Sequence, residues 1–353
     1  MKEIELLARP HLLNLKPYSS ARDEFKGQAD VFLDANENAL GSVTAWKDFG
    51  FLNRYPDPHQ LAIKQKLAIL KGVDAEQIFI GNGSDEPIDL LIRLFCKPGI
   101  DKIITMPPTY GMYEVCAGIN EVFDVQVPLR TDFQPDLQDI SKAVSPETKI
   151  LFICSPNNPS GNLMNKGTVE TILKKFPGIV VIDEAYVDFS EGCSWIARLD
   201  EFPRLVVLQT FSKAWGLAAL RAGMAIGHPF LISLLNRIKP PYNISGPTQE
   251  ALTFALDHVN EKTAHVNHLL NERKRIELVL NTLSCVEKVF QSDANFLLVR
   301  FKHSEMVFEV LKSKGIIVRD RSKNTHCENS LRITIGTRKE NNKMLEVLAT
   351  VCV

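Results

Sequence analysis

Five short runs of apolar residues, most of them followed by a helical pattern, are the feature that most limits how this chain can fold. The runs read QIFIG, KIITM, KILFICS, IVVIDEA and LVVLQT, between about residues 77 and 210. Strands that are apolar at every position are buried on both faces, and helices between them connect parallel neighbours. The pattern therefore predicts an α/β protein whose mostly parallel sheet is flanked by helices.

A second, smaller unit is predicted after the proline-rich segment KPPYNISGP. A long amphipathic pattern runs from there to about residue 283, and NFLLVRF, a short helix, GIIVRD and SLRITIG follow. A chain of 353 residues, 45% of them hydrophobic, is large enough for two packed units. We therefore expect an N-terminal arm over residues 1–30, a large domain over 31–245 and a small α+β C-terminal domain over 246–353.

The charge balance and the cysteines narrow the class of partner. The chain has 41 basic and 42 acidic residues without a basic run, so nothing favours nucleic acid or a lipid surface. Its seven cysteines are scattered and the eight histidines lack ligand spacing, which indicates reduced thiols and no metal site. No stretch approaches the ~18 apolar residues of a membrane helix, and the N-terminus is charged too early for a signal peptide. We expect a cytoplasmic protein that binds small molecules.

Polar motifs follow four of the predicted strands. They read GNGSDE, SPNNPSG, DEAY and TFSK. Because ligands of open parallel sheets bind beyond the carboxyl ends of the strands, these motifs should meet at one edge of the sheet. The N–H groups of Gly83, Ser84 and Asp85 at a helix N-terminus, the Ser212 hydroxyl and the Arg221 guanidinium would form a phosphate site there.

An acid at the same edge predicts a cationic partner. Asp183 ends a fully apolar strand, where an ionised carboxylate is costly, so a protonated ring nitrogen would explain it. Asn158 and Tyr186 can donate to an oxygen on such a ring, and Tyr110 can stack on its face. A lysine close to this ring, Lys213, would have a lowered pKa and could act first as a nucleophile and later as a general base.

Read together, NPSG, DEAY, SKAWGLAALRAG and LRITIG resemble the pyridoxal-phosphate aminotransferases of the aspartate aminotransferase fold, in the right order and over nearly the whole chain. Within that superfamily, LDANEN, NRYPDP, GNGSDE, PPTYGMY and GIIVRD are similar to the histidinol-phosphate aminotransferases. The resemblance implies a sheet of the seven-stranded type and pyridoxal 5'-phosphate as the cofactor. It also implies histidine biosynthesis, with a ping-pong amino transfer between L-histidinol phosphate and 2-oxoglutarate that gives imidazole acetol phosphate and glutamate.

The resemblance further implies roles for individual residues around the cofactor. Lys213 would be the Schiff-base lysine, Asp183 the partner of the pyridine nitrogen, and Tyr110 the residue stacked over the ring. The ring hydroxyl would be bound by Asn158 and Tyr186. The remaining cofactor contacts, mostly to the phosphate, would come from Gly83, Ser84, Asp85, Thr210, Ser212 and Arg221.

Further implied roles concern the second subunit and the substrate. Tyr55 of NRYPDP would reach the cofactor phosphate of the other subunit, which makes the active unit a homodimer. Arg332 of LRITIG would be the main substrate anchor with help from Arg319, while Tyr18 and Asn36 would line the pocket. One pocket then has to hold a phosphate ester and a dicarboxylate, and arginine forks suit both.

Other functions stay open on the sequence alone. The same cofactor residues serve aromatic aminotransferases of broad specificity and a branch that decarboxylates threonine phosphate. A non-catalytic relative of the fold would be expected to have lost Lys213 or Asp183, and both are present. GNGSDE also begins like the dinucleotide fingerprint G-x-G-x-x-G, but Glu86 stands at the third glycine position, so a dehydrogenase would rest on two glycines.

Overall fold

The architecture comes from a computed structural model, which describes residues 2–15, 52–191 and 194–351. Eleven strands lie within these ranges and form two separate sheets. Their bounds are β1 (Ile78–Asn82), β2 (Lys102–Thr105), β3 (Phe123–Gln126), β4 (Thr148–Cys154), β5 (Ile179–Asp183), β6 (Leu205–Thr210), β7 (Ala222–Gly227), β8 (Val286–Val289), β9 (Phe296–Phe301), β10 (Arg319–Asp320) and β11 (Ser330–Thr334).

Helices connect most of these strands. Among the helices of the described ranges, none is both long and apolar enough to cross a bilayer. The α-helices are α1 (Lys2–Leu7), α2 (Pro10–Leu13), α3 (Leu61–Lys71), α4 (Asp85–Phe95), α5 (Met112–Ile119), α6 (Leu137–Ala143), α7 (Lys166–Lys175), α8 (Pro229–Ile238), α9 (Gly246–Ala255), α10 (Val259–Leu280), α11 (Ser304–Ser313) and α12 (Arg338–Val351). Short 3-10 helices cover Ala75–Gln77, Val187–Phe189, Trp195–Glu201 and Ala218–Leu220.

The large sheet has seven strands in the order β1-β7-β6-β5-β4-β2-β3. Strands β3, β2, β4, β5 and β6 are parallel, and β7 alone runs antiparallel to its neighbours β6 and β1. The prediction of a mostly parallel sheet flanked by helices is therefore confirmed. Because β7 reverses direction between β6 and β1, the carboxyl ends of β1, β4, β5 and β6 all reach the same edge.

The apolar runs become the central strands because both faces of the sheet are covered. Every residue of β5, β6 and β7 is buried, and the two faces pack into separate hydrophobic clusters. The helix α4 covers one face with Ile88, Leu91, Ile92 and Phe95, which are all 0–1% exposed and lie at the spacing predicted from the sequence. Burial of such side chains stabilises each by about 1.5–3 kcal/mol.

The small sheet has four antiparallel strands in the order β10-β11-β9-β8, packed against α10, α11 and α12. This confirms a smaller α+β unit in the C-terminal part of the chain. The amphipathic pattern that predicts it forms two helices rather than one, because the chain turns at residues 256–258 between α9 and α10. The domain boundary at residues 245–246 stays a prediction, and Leu252 of α9 packs into the core of the large sheet.

The cysteines differ from expectation at one position. Cys96, Cys116, Cys154 and Cys327 are free and buried, as a reduced set would be. Cys285 is disulfide-bonded, and its partner lies outside the described residues. The expectation that disulfides are absent is therefore wrong for Cys285, because scattered spacing in the sequence says little about which residues the fold brings together.

Candidate active site

A cavity lies at the edge of the large sheet where β1, β4, β5 and β6 end. It brings together all four polar motifs that follow these strands. Eleven of the twelve residues predicted to contact the cofactor line it, and Tyr55 is the exception. The lining consists of Gly83, Ser84, Asp85, Tyr110, Cys154, Asn158, Asp183, Ala185, Tyr186, Thr210, Ser212, Lys213, Ala218 and Arg221.

Asp183 is the buried acid of this cavity. It is the last residue of β5 and only 2% exposed. Its carboxylate accepts hydrogen bonds from the Tyr113 hydroxyl at 2.8 Å and from the Ala185 backbone N–H at 3.1 Å. Burial nevertheless raises the pKa of Asp183 to about 6, because two hydrogen bonds do not replace the lost solvation. A cation placed against this carboxylate would hold it in the charged form.

An anion subsite forms where β1 leads into α4. Gly83 turns the chain with φ +68° directly before α4, and Gly83, Ser84 and Asp85 line the cavity at the N-terminus of that helix. The Gly83 N–H donates to the Arg221 carbonyl at 2.8 Å, which holds the β1 and β7 ends together. A Cβ at Gly223 would lie 2.4 Å from the Gly83 carbonyl carbon, so only glycine fits there.

Arg221 supplies the positive charge of this subsite. Its guanidinium donates to the Ser212 hydroxyl at 3.4 Å and to the Asp85 carboxylate at 3.4 Å. The backbone at Arg221 is left-handed, with φ 49°, in the turn between a 3-10 helix and β7. Thr210 ends β6 alongside it, and its hydroxyl accepts from the Ser212 N–H at 3.0 Å. Two hydroxyls, helix N–H groups and a guanidinium are the donors that a phosphate group takes.

Lys213 follows β6, and buried residues lie on both sides of it in the chain. Phe211 is fully buried and Ala214 is 6% exposed, so the backbone on both sides of the lysine is fixed in the core. The Nζ atom lies 5.6 Å from the centre of the Tyr186 ring. Surrounding protein atoms lower the pKa of Lys213, and the charge of Arg332 lowers it further. A lysine with a lowered pKa has a larger neutral fraction and is a better nucleophile and base.

Tyr110, Asn158 and Tyr186 surround the remaining sides of the cavity. The Tyr110 hydroxyl donates to the Asp85 carboxylate at 3.0 Å. Asn158 is 8% exposed and its side-chain oxygen accepts from Arg332. Tyr186 is also 8% exposed and therefore nearly enclosed. These three side chains add two hydroxyls and one amide to the lining of the cavity that also contains Lys213 and Asp183.

The predicted substrate anchors lie on the small sheet. Arg332 of β11 is paired in register with Arg319 of β10. The guanidinium of Arg332 lies 5.3 Å from the ring of Phe296 and bonds to Asn158 of the large sheet. Burial lowers the pKa of Arg332, while Tyr186 raises it. Arg319 is exposed to solvent.

Tyr55 is the one predicted cofactor contact that does not line the cavity. Tyr55 is 50% exposed and its ring stacks on Tyr242 at 4.4 Å, away from the lining residues. Tyr18 and Asn36 lie outside the described residues, so their predicted roles stay predictions. Tyr55 is therefore partly exposed at the surface, and its predicted role toward a second subunit stays a prediction.

One residue of the site was not predicted from the sequence. Tyr113 is fully buried, its ring stacks on Phe152 at 4.6 Å, and its hydroxyl bonds to Asp183. It also meets the ring of Tyr110 edge-on at 5.6 Å. The signal was present in PPTYGMY, because Tyr113 lies in the first turn of α5, three residues after Tyr110, which was already assigned to the site.

Comparison with known proteins identifies the family. Residues 24–348 match the model of the family described as aminotransferase class I and II. A histidinol-phosphate aminotransferase from Cytophaga hutchinsonii is 51% identical over 98% of this chain and 99% of its own, and one from Parabacteroides distasonis is 50% identical over 99% of each.

Solved structures agree with these relatives. The histidinol-phosphate aminotransferase of Clostridium acetobutylicum superposes with a TM-score of 0.78 at 26% identity, covering 85% of this chain and 91% of its own. That of Sinorhizobium meliloti, solved in complex with pyridoxal-5'-phosphate, shares the fold with a TM-score of 0.77 at 24% identity, covering 85% and 83%. The chain therefore belongs to the class I and II aminotransferases and, within them, to the histidinol-phosphate aminotransferase family.

Proposed function

We propose that this protein transfers an amino group between L-histidinol phosphate and 2-oxoglutarate, in histidine biosynthesis, with pyridoxal 5'-phosphate as its cofactor. The observation that carries the proposal is one cavity holding Lys213, Asp183 and Arg221, to which the substrate anchor Arg332 is bonded through Asn158. The relatives at 50% and 51% identity support the choice of substrate.

The residues present fit this cofactor. Asp183 is a buried carboxylate that burial alone drives toward protonation, so a protonated pyridine nitrogen is the kind of partner it lacks. The α4 N-terminus, Ser212 and Arg221 line the same cavity and offer donors to a phosphate. Lys213 lines it as well and would hold the cofactor's aldehyde carbon. When bound, pyridoxal phosphate supplies an electron sink for the carbanion formed at the substrate Cα.

The chain's own groups would divide the work of the reaction. Asp183 would hold the charge on the ring nitrogen, and Asn158 and Tyr186 would donate to the ring oxygen. Tyr110 would cover the ring face and exclude water from it. The neutral amine of Lys213 would remove the proton at the substrate Cα and return it on the other side of the transfer.

The substrate anion would be bound by the small sheet. Histidinol phosphate carries its phosphate where an amino acid carries its carboxylate, so both groups would meet Arg332. The Nε atom of Arg332 is buried without a hydrogen-bond partner, although one Nη atom bonds to Asn158. A bidentate anion would satisfy the free donors of this guanidinium. Arg319, Tyr18 and Asn36 are proposed to complete the pocket.

We also propose that the active unit is a cytoplasmic homodimer. Tyr55 is 50% exposed, and large apolar side chains of the neighbouring helix α3 are exposed as well, Leu61 at 55% and Ile69 at 87%. Phe254 of α9, which packs against α3, is 67% exposed. A second copy covering this patch would bury apolar surface and bring Tyr55 to the partner's cofactor phosphate.

A half-reaction experiment tests the proposal. The holoprotein is mixed separately with L-histidinol phosphate, glutamate, phenylalanine and tyrosine, and the loss of the cofactor's visible absorbance is followed. Fast conversion by histidinol phosphate and glutamate, with the aromatic amino acids slower, supports the proposed substrate pair. Faster conversion by the aromatic amino acids would contradict it and favour an aromatic aminotransferase.

A further inference from the structure

One face of the small sheet carries four arginines, which we call the arginine face. Arg319 of β10 stands opposite Arg332 of β11. The Arg321 N–H donates to the Ser330 carbonyl at 2.9 Å, which continues this pairing by two residues. Ser330 is in turn opposite Arg300 of β9. Because side chains alternate between the faces of a sheet, Arg300, Arg319, Arg321 and Arg332 all lie on the same face.

The arginine face is turned toward the cavity of the large sheet. Arg332 bonds to Asn158, and its guanidinium lies 5.3 Å from the ring of Phe296, which belongs to the same face of β9. The Phe296 ring meets the ring of Tyr186 edge-on at 5.1 Å. Since Asn158 and Tyr186 both line the cavity, a ligand that extends from the cavity toward the small sheet meets the arginine face.

Three of the four arginines lack an acidic partner. Arg300 has one, because its Nη2 donates to the Glu328 carboxylate at 3.4 Å and to the His326 carbonyl at 2.8 Å. Among the described residues, no carboxylate forms an ion pair with Arg319, Arg321 or Arg332. Like charges gathered without a counter-charge destabilise a fold unless an anionic ligand neutralises them. The arrangement indicates an anion site with more positive charge than one carboxylate needs.

Arg321 is the more enclosed of the two arginines contributed by this segment. Arg319 is exposed, whereas Arg321 is half-buried and its Nε is buried without a hydrogen-bond partner. Burial lowers the pKa of Arg321 and Arg319 lowers it further, while Cys327, Tyr186 and Asp320 raise it. An enclosed guanidinium that interacts with Tyr186 and has a free donor is placed to bind a ligand from the cavity.

We propose that Arg321 is a specificity-determining residue, a third guanidinium that favours a phosphate ester over a carboxylate at the position held by Arg332. The proposal rests on the proposed function. A carboxylate has two oxygens and one charge, which a single arginine fork satisfies. A phosphate monoester has a third free oxygen and nearly a second charge, and its ester linkage extends it farther from the reacting carbon. Arg321 supplies the additional donors and charge.

Direct binding of simple anions tests Arg321 without catalysis. Inorganic phosphate and acetate are titrated into the holoprotein by calorimetry, for wild type and for Arg321→Gln, Arg321→Lys and Arg300→Gln. Loss of a charge-assisted hydrogen bond should weaken phosphate binding by about 10- to 100-fold in Arg321→Gln, with acetate changed by less than about threefold. Arg321→Lys should recover part of the loss because it keeps the charge. Arg300→Gln is the matched control on the same face and should leave the phosphate-to-acetate ratio unchanged.

The half-reactions extend the test to substrates. In Arg321→Gln, kcat/KM for histidinol phosphate should fall about 10- to 100-fold while that for glutamate falls much less. Equal losses for both anions, or no loss of phosphate binding, would overturn the role of Arg321. If wild type fails to convert histidinol phosphate while Arg321→Gln still loses phosphate selectively, the inference stands and the proposed substrate is wrong.

Discussion

The cavity at the edge of the large sheet and the arginine face of the small sheet differ in whether their charged groups have partners within the protein. In the cavity, both acids accept hydrogen bonds from the protein: Asp183 from Tyr113, and Asp85 from Arg221. On the arginine face, three guanidiniums form no ion pair with a carboxylate of the described residues. The cavity is thus organised before any ligand binds, while the arginine face depends on a ligand for its counter-charge. An organised cavity suits a cofactor that stays bound, and an arginine face without ion pairs suits a substrate that binds and is released in each cycle.

The comparison is tested most severely by Lys213→Ala. Because Lys213 is the only lysine among the described residues that line the cavity, its loss should lower kcat by roughly a thousandfold or more. The fold should survive, since the neighbouring Phe211 and Ala214 provide the buried contacts. Steady-state kinetics and thermal melting measure both effects. Substantial remaining transamination would remove the lysine from the mechanism.

Arg332→Ala should affect substrate binding rather than the cavity. We expect KM to rise for both substrates, with about 2–5 kcal/mol of charge-assisted binding lost, and a smaller change in kcat. The visible absorbance of the bound cofactor should be unchanged. Unchanged KM values would place the anion site away from the arginine face and break the division between the two regions.

The pH dependence of folding stability, through the ionisation of Asp183, tests the cavity side of this comparison. In the cofactor-free protein, burial raises the pKa of Asp183 to about 6. Between pH 4 and 6 this carboxyl is therefore mostly protonated in the folded state and mostly ionised in the unfolded state. Stability should therefore fall as pH rises through this range and stay level above it. Relative to Asp183→Asn, wild type should lose about 2 kcal/mol of unfolding free energy from pH 4 to 7, because the unfolded carboxyl is already partly ionised at pH 4. Denaturant unfolding of both proteins measures this, and parallel pH profiles would contradict it.

The smallest expected effect belongs to Tyr113→Phe. The substitution keeps the stack on Phe152 and removes only the hydrogen bond to Asp183. Since that bond favours the ionised carboxylate, its loss should raise the pKa of Asp183 and move the acidic limb of the kcat profile up by about one pH unit. A fall in kcat of equal size at every pH would indicate a structural role only.

The sequence predicted the cavity better than the arginine face, for a physical reason. Fully apolar strands predict a parallel sheet, and the polar residues that follow parallel strands lie at one edge of it. The motifs GNGSDE, SPNNPSG, DEAY and TFSK could therefore be predicted to meet there. Arg319 and Arg332 were assigned by resemblance alone. Arg321 was not noticed, because β10 has only two residues, Arg319–Asp320, and shows no alternating pattern.

Other features depended on contacts that spacing does not encode. Tyr113 becomes important only when α5 brings its hydroxyl to the end of β5. The disulfide at Cys285 and the break between α9 and α10 likewise follow from tertiary packing. The roles of the individual site residues remain predictions, and the experiments above address Lys213, Asp183, Arg332 and Arg321 in turn.

The close contact between Gly83 and Gly223 has a consequence for laboratory evolution of this enzyme. Any side chain at Gly223 collides with the backbone of Gly83, so libraries that vary this part of the cavity will mostly yield proteins that cannot hold the turn. On the arginine face, Arg319 is exposed and Arg321 is half-buried, so substitutions at these two positions meet fewer neighbours. Attempts to redirect the enzyme to new amino donors should therefore diversify residues 319 and 321, avoid the buried Cys327, Ser330 and Leu331, and leave the glycine contact intact.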